Sequence, residues 1–479
     1  MKRFYLFLMV AILVSIASLA NSETGESKLT QLFPGATVVW QKTLHGILTD
    51  FVIAKDSGYV AISTMEGPSG NRKGYVYFFA PDGRLLWQLS NESNTGLKTV
   101  YDINLSLSDN GKTLLVDWWG DYESSEKQIY DKSGRFLFKN YDNKMGFVGY
   151  SVSPDGEYFT PGLFRRDGTK VDFSPLDPQK WHFDFYRFPI RFLSKDEISV
   201  IARERFSKGA LQEYSKKWLK ERRTELSKSQ LSPEERRKKE RMYDDIERML
   251  SYGYNRPAHV PSPPEKRQLC ISPFPDGKLK WKLDLGVNGW ARVKRVDNCL
   301  FVQSGGETGE ILRCFADDGT ELWKRDGFYY LREYVDSFKK GKYYAIFDNR
   351  YHRLHILDGK TGFVLITDTL IPQDRLGPIY SFLCSENMIM LSGELFFRLQ
   401  DLPPPRSWNR TYIWQFSDDL KILDEGLVNG SVIGRSDSKF IGIYKSDSER
   451  MDAELRKSCT DFQVSILKGG VSNDGPKSD

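Results

Sequence analysis

One short pattern recurs along the chain and constrains its fold more than any other feature: an apolar run, a turn ending in Gly, and a second run closing in an aromatic residue. Tyr75 to Trp87 reads YVYFFAPDGRLLW, Ile311 to Trp323 reads ILRCFADDGTELW, and Leu269 to Trp281 reads LCISPFPDGKLKW. Weaker copies surround Ser133-Gly134 before Phe138, Asp167-Gly168 before Val171, Asp358 to Gly362 before Leu365, and Asp418-Asp419 before Leu423. Gly accepts positive φ without steric cost and Asp tolerates it, so an Asp-Gly pair between apolar runs predicts a tight two-residue hairpin. In four copies an aromatic follows the Gly by four residues.

Further strand pairs precede several turns, as in Asp102 to Val116 around Asn110-Gly111 and Gly149 to Phe159 around Asp155-Gly156, so each repeat contains four strands. The turns fall at 83, 134, 168, 277, 319, 362 and 419, and the one long gap shrinks to about 50 residues once a helical insertion is removed. Four-stranded units of this length suit the blades of a propeller. The Asp-Gly-x-x-Leu-Trp turns, with the Asp358-Gly-Lys-Thr-Gly362 variant, resemble the repeats of quinoprotein-like (PQQ-like) β-propellers, and Ser153-Pro154-Asp155-Gly156 resembles the inner hairpins of WD40-like propellers. The resemblance covers most of residues 35 to 468 and implies a single all-β propeller of eight four-stranded blades, or seven if the short 146 to 173 unit is not independent. Val38 to Lys42 reads as an outermost strand with no preceding partner, and Phe462 to Leu467 as an inner strand with no outer one. Pairing the two would close the ring and leave no long open edge.

Residues 1 to 22 read as an export signal: Lys2 and Arg3, an apolar run from Phe4 to Ala20, and the small-x-small sequence Ala20-Asn21-Ser22. That predicts a periplasmic or extracellular protein without a transmembrane segment once the signal is cut, or one anchored by it if it is retained. Beyond residue 22 the chain carries 67 basic against 64 acidic residues, too near neutral to imply nucleic acid as a partner. Residues 469 to 479 read as a disordered tail.

From 207 to 252 the alternation stops and a charged helical hairpin is expected inside one blade, its second helix announced by Ser232-Pro233-Glu234-Glu235. Leu211, Tyr214 and Trp218 on one helix and Met242, Ile246, Met249 and Leu250 on the other fall at its base, so the stretch from Lys220 to Arg241 is expected to project into solvent. Lys220, Arg222, Arg223, Arg236, Arg237, Lys238 and Lys239 are the candidate contacts for a protein or other macromolecular partner, set against a plain solvated helical pair.

Chemistry is sparse. Five His residues, at 45, 182, 259, 352 and 355, form no convincing site, and His352 and His355 are expected on opposite faces of one strand. No nucleophile elbow, Walker loop, HExxH, CxxC or EF-hand loop occurs. Five Cys residues are too few for a disulfide scaffold, and Cys299 and Cys314, on neighbouring strands, are the pair to test for a bridge. Quinoprotein dehydrogenases of this fold hold PQQ and a metal over the ring axis beside a vicinal Cys pair, which this chain lacks; other exported propellers, among them assembly factors of the outer membrane, use the ring as a platform. The reading is therefore an exported, non-enzymatic binding scaffold with no cofactor and no catalytic or metal site, the alternative being a PQQ-dependent oxidoreductase.

Overall fold

The computed structural model describes residues 36–468 apart from 68–70, 121–124, 143–150, 161, 184–189, 255, 258, 307–308, 327–333, 340, 349–351, 370–374, 386, 397–408, 430, 436–439 and 447–460. The expected signal and tail lie outside the described residues.

Eight antiparallel sheets follow one another along the chain. Blade one spans Ile47 to Ser90, blade two Asp102 to Asp142, blade five Trp290 to Asp326, blade six Val335 to Thr369 and blade seven Arg375 to Asn429, each as four strands in chain order. Blade three is the short unit: a ladder of Tyr158–Phe159 with Phe164–Arg165, flanked by single bridges from Val152 to Phe159 and from Phe164 to Lys170. In blade four the innermost position is shared, since Arg191–Ser194 pairs one end of the strand Glu197–Glu204 and Trp181–Phe183 pairs the other. Blade eight joins the two ends of the chain. Thr37–His45 pairs outside Asp461–Lys468, with Val38 opposite Leu467 and His45 opposite Asp461, and Phe440–Ser446 lies on the inner side.

Successive side chains of a strand point to opposite sheet faces, and here both faces of the second strands are covered. Ile62 therefore packs toward blade eight with Trp40, Phe51 and Ile466, whereas Ala61 packs toward blade two with Phe78, Ile103 and Trp118. The same division repeats around the molecule. Leu115 and Phe159 fill the wedge between blades two and three, Leu163 and Ile198 that between three and four, and Leu269 and Phe315 that between four and five. Leu312 and Ile346 then join five to six, Phe347 and Trp414 six to seven, and Met390 and Ile441 seven to eight. Eight sheets with eight such interfaces form a closed ring, because an open row would have one interface fewer. The fold is a single eight-bladed propeller, with blade three reduced but occupying a full place.

The Asp-Gly turns are longer than the two-residue hairpins expected. Gly83 N–H donates to the Ala80 carbonyl and Ala80 N–H to that of Arg84, and the ladder shifts register between Phe78 and Phe79. The Gly carries the positive φ, +83° at Gly83, while the Asp side chain caps the turn: Asp82 Oδ1 accepts the Arg84 amide at 3.0 Å. Asp167 and Asp318 accept the amides of Thr169 and Thr320 in the same way, and Asp131, three residues before its Gly, accepts those of Ser133 and Arg135. Asp is thus needed as an acceptor, not for tolerance of positive φ. In blade seven the positive φ falls on Leu420, one residue beyond the expected Asp419.

The insertion in blade four consists of helices Lys208–Lys228 and Pro233–Ser251. Ser207 accepts from Ala210 N–H, and Ser232 with Glu235 forms the expected capping box behind Pro233. Its apolar seam differs from the expectation. Leu219 and Leu226 on the outgoing helix meet Tyr243, Ile246 and Leu250 on the returning one, Val260 of the linker completes the cluster, and no sheet residue belongs to it. Tyr214, Trp218 and Met242 only flank this seam and Met249 is exposed, because residues spaced by seven share one helix face and Leu219 and Leu226 fall on it. The hairpin is therefore cored along its length, and the distal half is not purely solvated.

Candidate functional site

The strand directions give the ring two chemically different faces. In the blades whose four strands follow one another along the chain, the first-to-second and third-to-fourth connections lie on one face, which carries the Asp-Gly turns of the repeat, and the second-to-third connections lie on the other. The strand Glu197–Glu204 starts at the turn face and ends at the loop face, seven residues further on, so at about 3.3 Å per residue its ends stand roughly 23 Å apart. The hairpin leaves after Glu204 and returns at Lys266, and so rises from the loop face. Its neck is clamped: Arg203 forms a bidentate ion pair with Glu265, and Arg267 donates to the carbonyls of Asn288 and Gly289 at 2.9 and 3.0 Å.

On the turn face the innermost strands surround a cavity of about 950 Å³ at the mouth of the central channel. Its charged lining is sorted by blade. Among the described lining residues, blades one to three supply Asp56, Asp109 and Asp155 with the single cation Lys55, and blades four and five supply Arg191, Lys195, Lys294 and Arg295 and no carboxylate. Phe192, Val293 and Phe382 form the apolar part of the wall. The acidic arc is held by backbone bonds from turn to turn: Asp56 N–H donates to the Asp109 carbonyl, Asp109 N–H to that of Pro154, and Asn110 Nδ2 to that of Asp155, at 2.9, 2.9 and 2.8 Å. On the basic side Arg295 is oriented by Glu197 and Asp317, and Lys195 lies 3.8 Å from Asp196.

Carboxylates deeper in the ring hold the blades together. Asp50 accepts from Phe51 N–H and, across the interface, from Leu105 N–H of blade two, both at 2.7 Å. Burial pushes its carboxyl up to about 6, against the lowering effect of those two amides. Asp336 repeats the clamp between blades six and seven, accepting from Ser337 and Cys384 amides at 2.9 and 2.8 Å.

The seven arm cations expected as partner contacts do not act as one group. Arg222 pairs with Glu225, Arg223 reaches Asp244 and Glu247 at 2.9 and 2.7 Å, and Arg236 donates to the Ser229 carbonyl at 2.9 Å. Lys220, Arg237, Lys238 and Lys239 are exposed, the last three consecutive in the returning helix near the tip. The mouth residues have a partial signal in the sequence: Asp109 and Asp155 stand in Asp-Asn-Gly and Asp-Gly turns between inner strands, whereas Arg191 opens the strand Arg191–Ser194 and Lys195 sits in the turn after it, which has no Gly.

Cys299 and Cys314 are free thiols, not a bridge, and the Tyr344 hydroxyl donates to Cys299 Sγ at 3.1 Å. Burial pushes the Cys270 thiol up to about 12 and raises that of Cys314 too, so neither is poised as a nucleophile. His352 has φ of 53° in the turn before the strand Arg353–Asp358, so the two histidines do not share a strand as expected; burial holds both below the usual His range. Among the described residues no three His, Cys, Asp or Glu side chains gather as a metal site, and no helix is long and apolar enough to cross a membrane.

No protein-family model and no curated protein matches the chain. Solved structures similar to it include the Dos1 propeller, at 9% identity over 90% of this chain and 95% of that one with a TM-score of 0.49. The C-terminal WD40 domain of Sif2 is similar at 10% identity over 90% and 98% of the two chains (TM-score 0.46), and BamB from Moraxella catarrhalis at 9% over 92% and 99% (TM-score 0.45). These are likenesses of the ring alone.

Proposed function

We propose that the chain is an exported, non-catalytic propeller that binds a protein partner, with the hairpin as its docking arm. One observation carries this reading: the insertion has an apolar seam of its own, takes no part in closing the ring, and projects exposed cations away from the loop face. An element with that construction adds nothing to the wedges between blades and is suited to contact something else. Export rests on the sequence from Lys2 to Ser22.

The test is affinity capture of partners from an envelope fraction with the mature chain and with a chain in which residues 208–260 are replaced by a Gly/Ser turn. A protein retained by the first and lost by the second, with retention weakening as salt rises, supports the arm as the contact. Equal retention by both chains removes that role from the arm, and retention of no protein by either counts against the scaffold reading as a whole.

A further inference from the structure

The mouth of the channel is a second surface, on the face opposite the arm. The geometry points to a binding site there for an extended protein segment that carries an acidic group and a basic group a short distance apart. This inference rests on the scaffold reading and adds a partner chemistry to it.

Three features of the mouth lead there. Among the described residues the lining charges are divided by position, acidic on blades one to three and basic on blades four and five, where four cations outnumber the three carboxylates Asp196, Glu197 and Asp317 that already pair with Lys195 and Arg295, so a ligand of one sign is favoured on one arc and disfavoured on the other. A segment bearing both signs satisfies both arcs at once. The acidic arc is also preorganised, because its turns are tied to one another through the backbone from Asp56 to Asp155, and a rigid arc loses little freedom when it is occupied. Finally, the cavity of about 950 Å³ stands at the upper end of the range of small-molecule pockets, and its lining comes from blades one to seven, which suits a chain crossing the mouth better than a compact metabolite.

The arm plays no part in this site. The mouth lies at the start of the strand Glu197–Glu204, and the hairpin leaves from the other end of that strand. Two partners, or two parts of one partner, are therefore able to occupy the protein together without competing for surface.

The experiment uses the mature chain and three synthetic peptides labelled for fluorescence anisotropy: an acidic block, a basic block, and the two joined through a Gly-Ser spacer. The joined peptide is expected to bind at least about tenfold more tightly than either block, since the second contact becomes intramolecular. Asp56 and Lys195 are exposed turn residues, so D56K and K195E leave the fold in place, checked by circular dichroism, and each is expected to remove the gain. The arm variant R237E/K238E/K239E is expected to keep it. A joined peptide that binds no better than its blocks overturns the inference, as does a gain that survives both mouth variants or disappears in the arm variant. If the dipeptide Glu-Lys at equal concentration displaces the joined peptide, the site takes small zwitterions and the protein-segment reading falls. Peptide binding of the expected kind with no protein captured from the envelope leaves the mouth standing and sinks the scaffold reading; capture through the arm with no peptide gain does the reverse.

Discussion

A Cβ atom placed on Gly83 would stand 2.4 Å from Cγ of Trp40, which means that the turn of blade one rests on the indole of the outermost strand of blade eight. The contact recurs at the next five turns. Gly134 rests on Trp87, Gly168 on Phe138, Gly277 on Phe173, Gly319 on Trp281 and Gly362 on Trp323. The aromatic four residues after Gly83, Gly134, Gly277 and Gly319, and Phe173 five residues after Gly168, thus serve the following blade, and the repeat period in the sequence records contacts between neighbours rather than within a hairpin. Indole N–H groups strengthen the link, since Trp87 and Trp323 donate to the carbonyls of Lys132 and Gly359 in the next turn, both at 3.2 Å. Where blade six offers Ile366 instead of an aromatic, blade seven has Leu420 in place of Gly, and both pack into the same wedge.

This arrangement separates two costs of substituting a turn glycine. Gly319 and Gly286 both have positive φ, +87° and +71°, but a Cβ on Gly319 would lie 2.5 Å from Trp281 whereas one on Gly286 meets nothing within 4 Å. Gly286→Ala is expected to cost about 1 kcal/mol through backbone strain alone. Gly319→Ala adds an overpacked interface and is expected to cost about 3 kcal/mol, read by equilibrium denaturation. Equal losses for the two variants would show that the indole yields freely and that the docking contact is not a constraint.

Trp40 is the member of this series that closes the ring, because its strand comes from the N-terminal end of the chain and its partner strand from the C-terminal end. Trp40→Ala is expected to cost about 4 kcal/mol, in the range for emptying a buried aromatic site. Amide exchange should then rise first in Thr37–His45 and in its partner Asp461–Lys468. Exchange rising uniformly around the ring, with no preference for blade eight, would argue against closure through this strand.

Protonation of Asp50 supplies a pH test. Its folded-state carboxyl titrates near 6, above the value of 3.8 expected for an unperturbed Asp, so its contribution to stability is complete below 3.8 and is lost as pH rises through 6. Two units correspond to about 3 kcal/mol between those limits. Asp117, pushed up to about 6 mainly by burial despite Lys127, acts in the same direction. Asp50→Asn is expected to flatten the rise in stability between pH 7 and pH 4 by about half, whatever its effect at any single pH. An unchanged slope, measured by denaturation across that window, would mean that the Asp50 carboxylate is better solvated than its position suggests.

The ring was legible in the sequence because its devices are local: a positive-φ Gly, a capping Asp two residues before the amide that it accepts, and an apolar run on either side. The pairing of Val38 with the C-terminal strand followed from an unmatched strand at each end. What the sequence did not show depends on which turns meet in space. Asp56, Asp109 and Asp155 lie far apart along the chain and become one arc only when consecutive inner turns are stacked, and nothing near Arg191 or Lys195 marks them as facing that arc. The apolar seam of the arm is hidden in the sequence for a related reason. Leu226 stands alone among polar and charged residues and Leu219 has only Trp218 beside it, and it is the facing helix with Tyr243 and Ile246 that makes them a seam.

The alternative reading as a quinoprotein is tested directly by mixing the mature chain with PQQ and calcium and separating it by gel filtration. The expected outcome is that the quinone absorbance elutes apart from the protein and that no dye-linked oxidation of alcohols or aldose sugars is seen. Stoichiometric retention of the quinone would move the mouth from a protein-binding surface to a cofactor site.

The seam also decides where the arm is to be cut. Replacing only Lys220 to Arg241 would remove Leu226 and uncover Leu219, Ile246 and Leu250, so loss of solubility in that variant would say nothing about the ring. Replacing residues 208–260 removes the whole cluster and leaves the ladder from Glu197–Pro273 to Arg203–Arg267 together with the Arg203–Glu265 pair. The shortened chain is expected to keep the denaturation midpoint of the parent, because none of the eight wedges between blades loses a residue. The neck itself should be sensitive. Arg203→Ala leaves the Glu265 carboxylate with Arg267 and His182 as its charged neighbours and is expected to cost about 3 kcal/mol, whereas R203M/E265L, which leaves Arg267 held by the carbonyls of Asn288 and Gly289, should recover part of that loss. A shortened chain that fails to fold, while the double variant at the neck folds normally, would show that the hairpin supports the blades and would overturn its assignment as a docking arm.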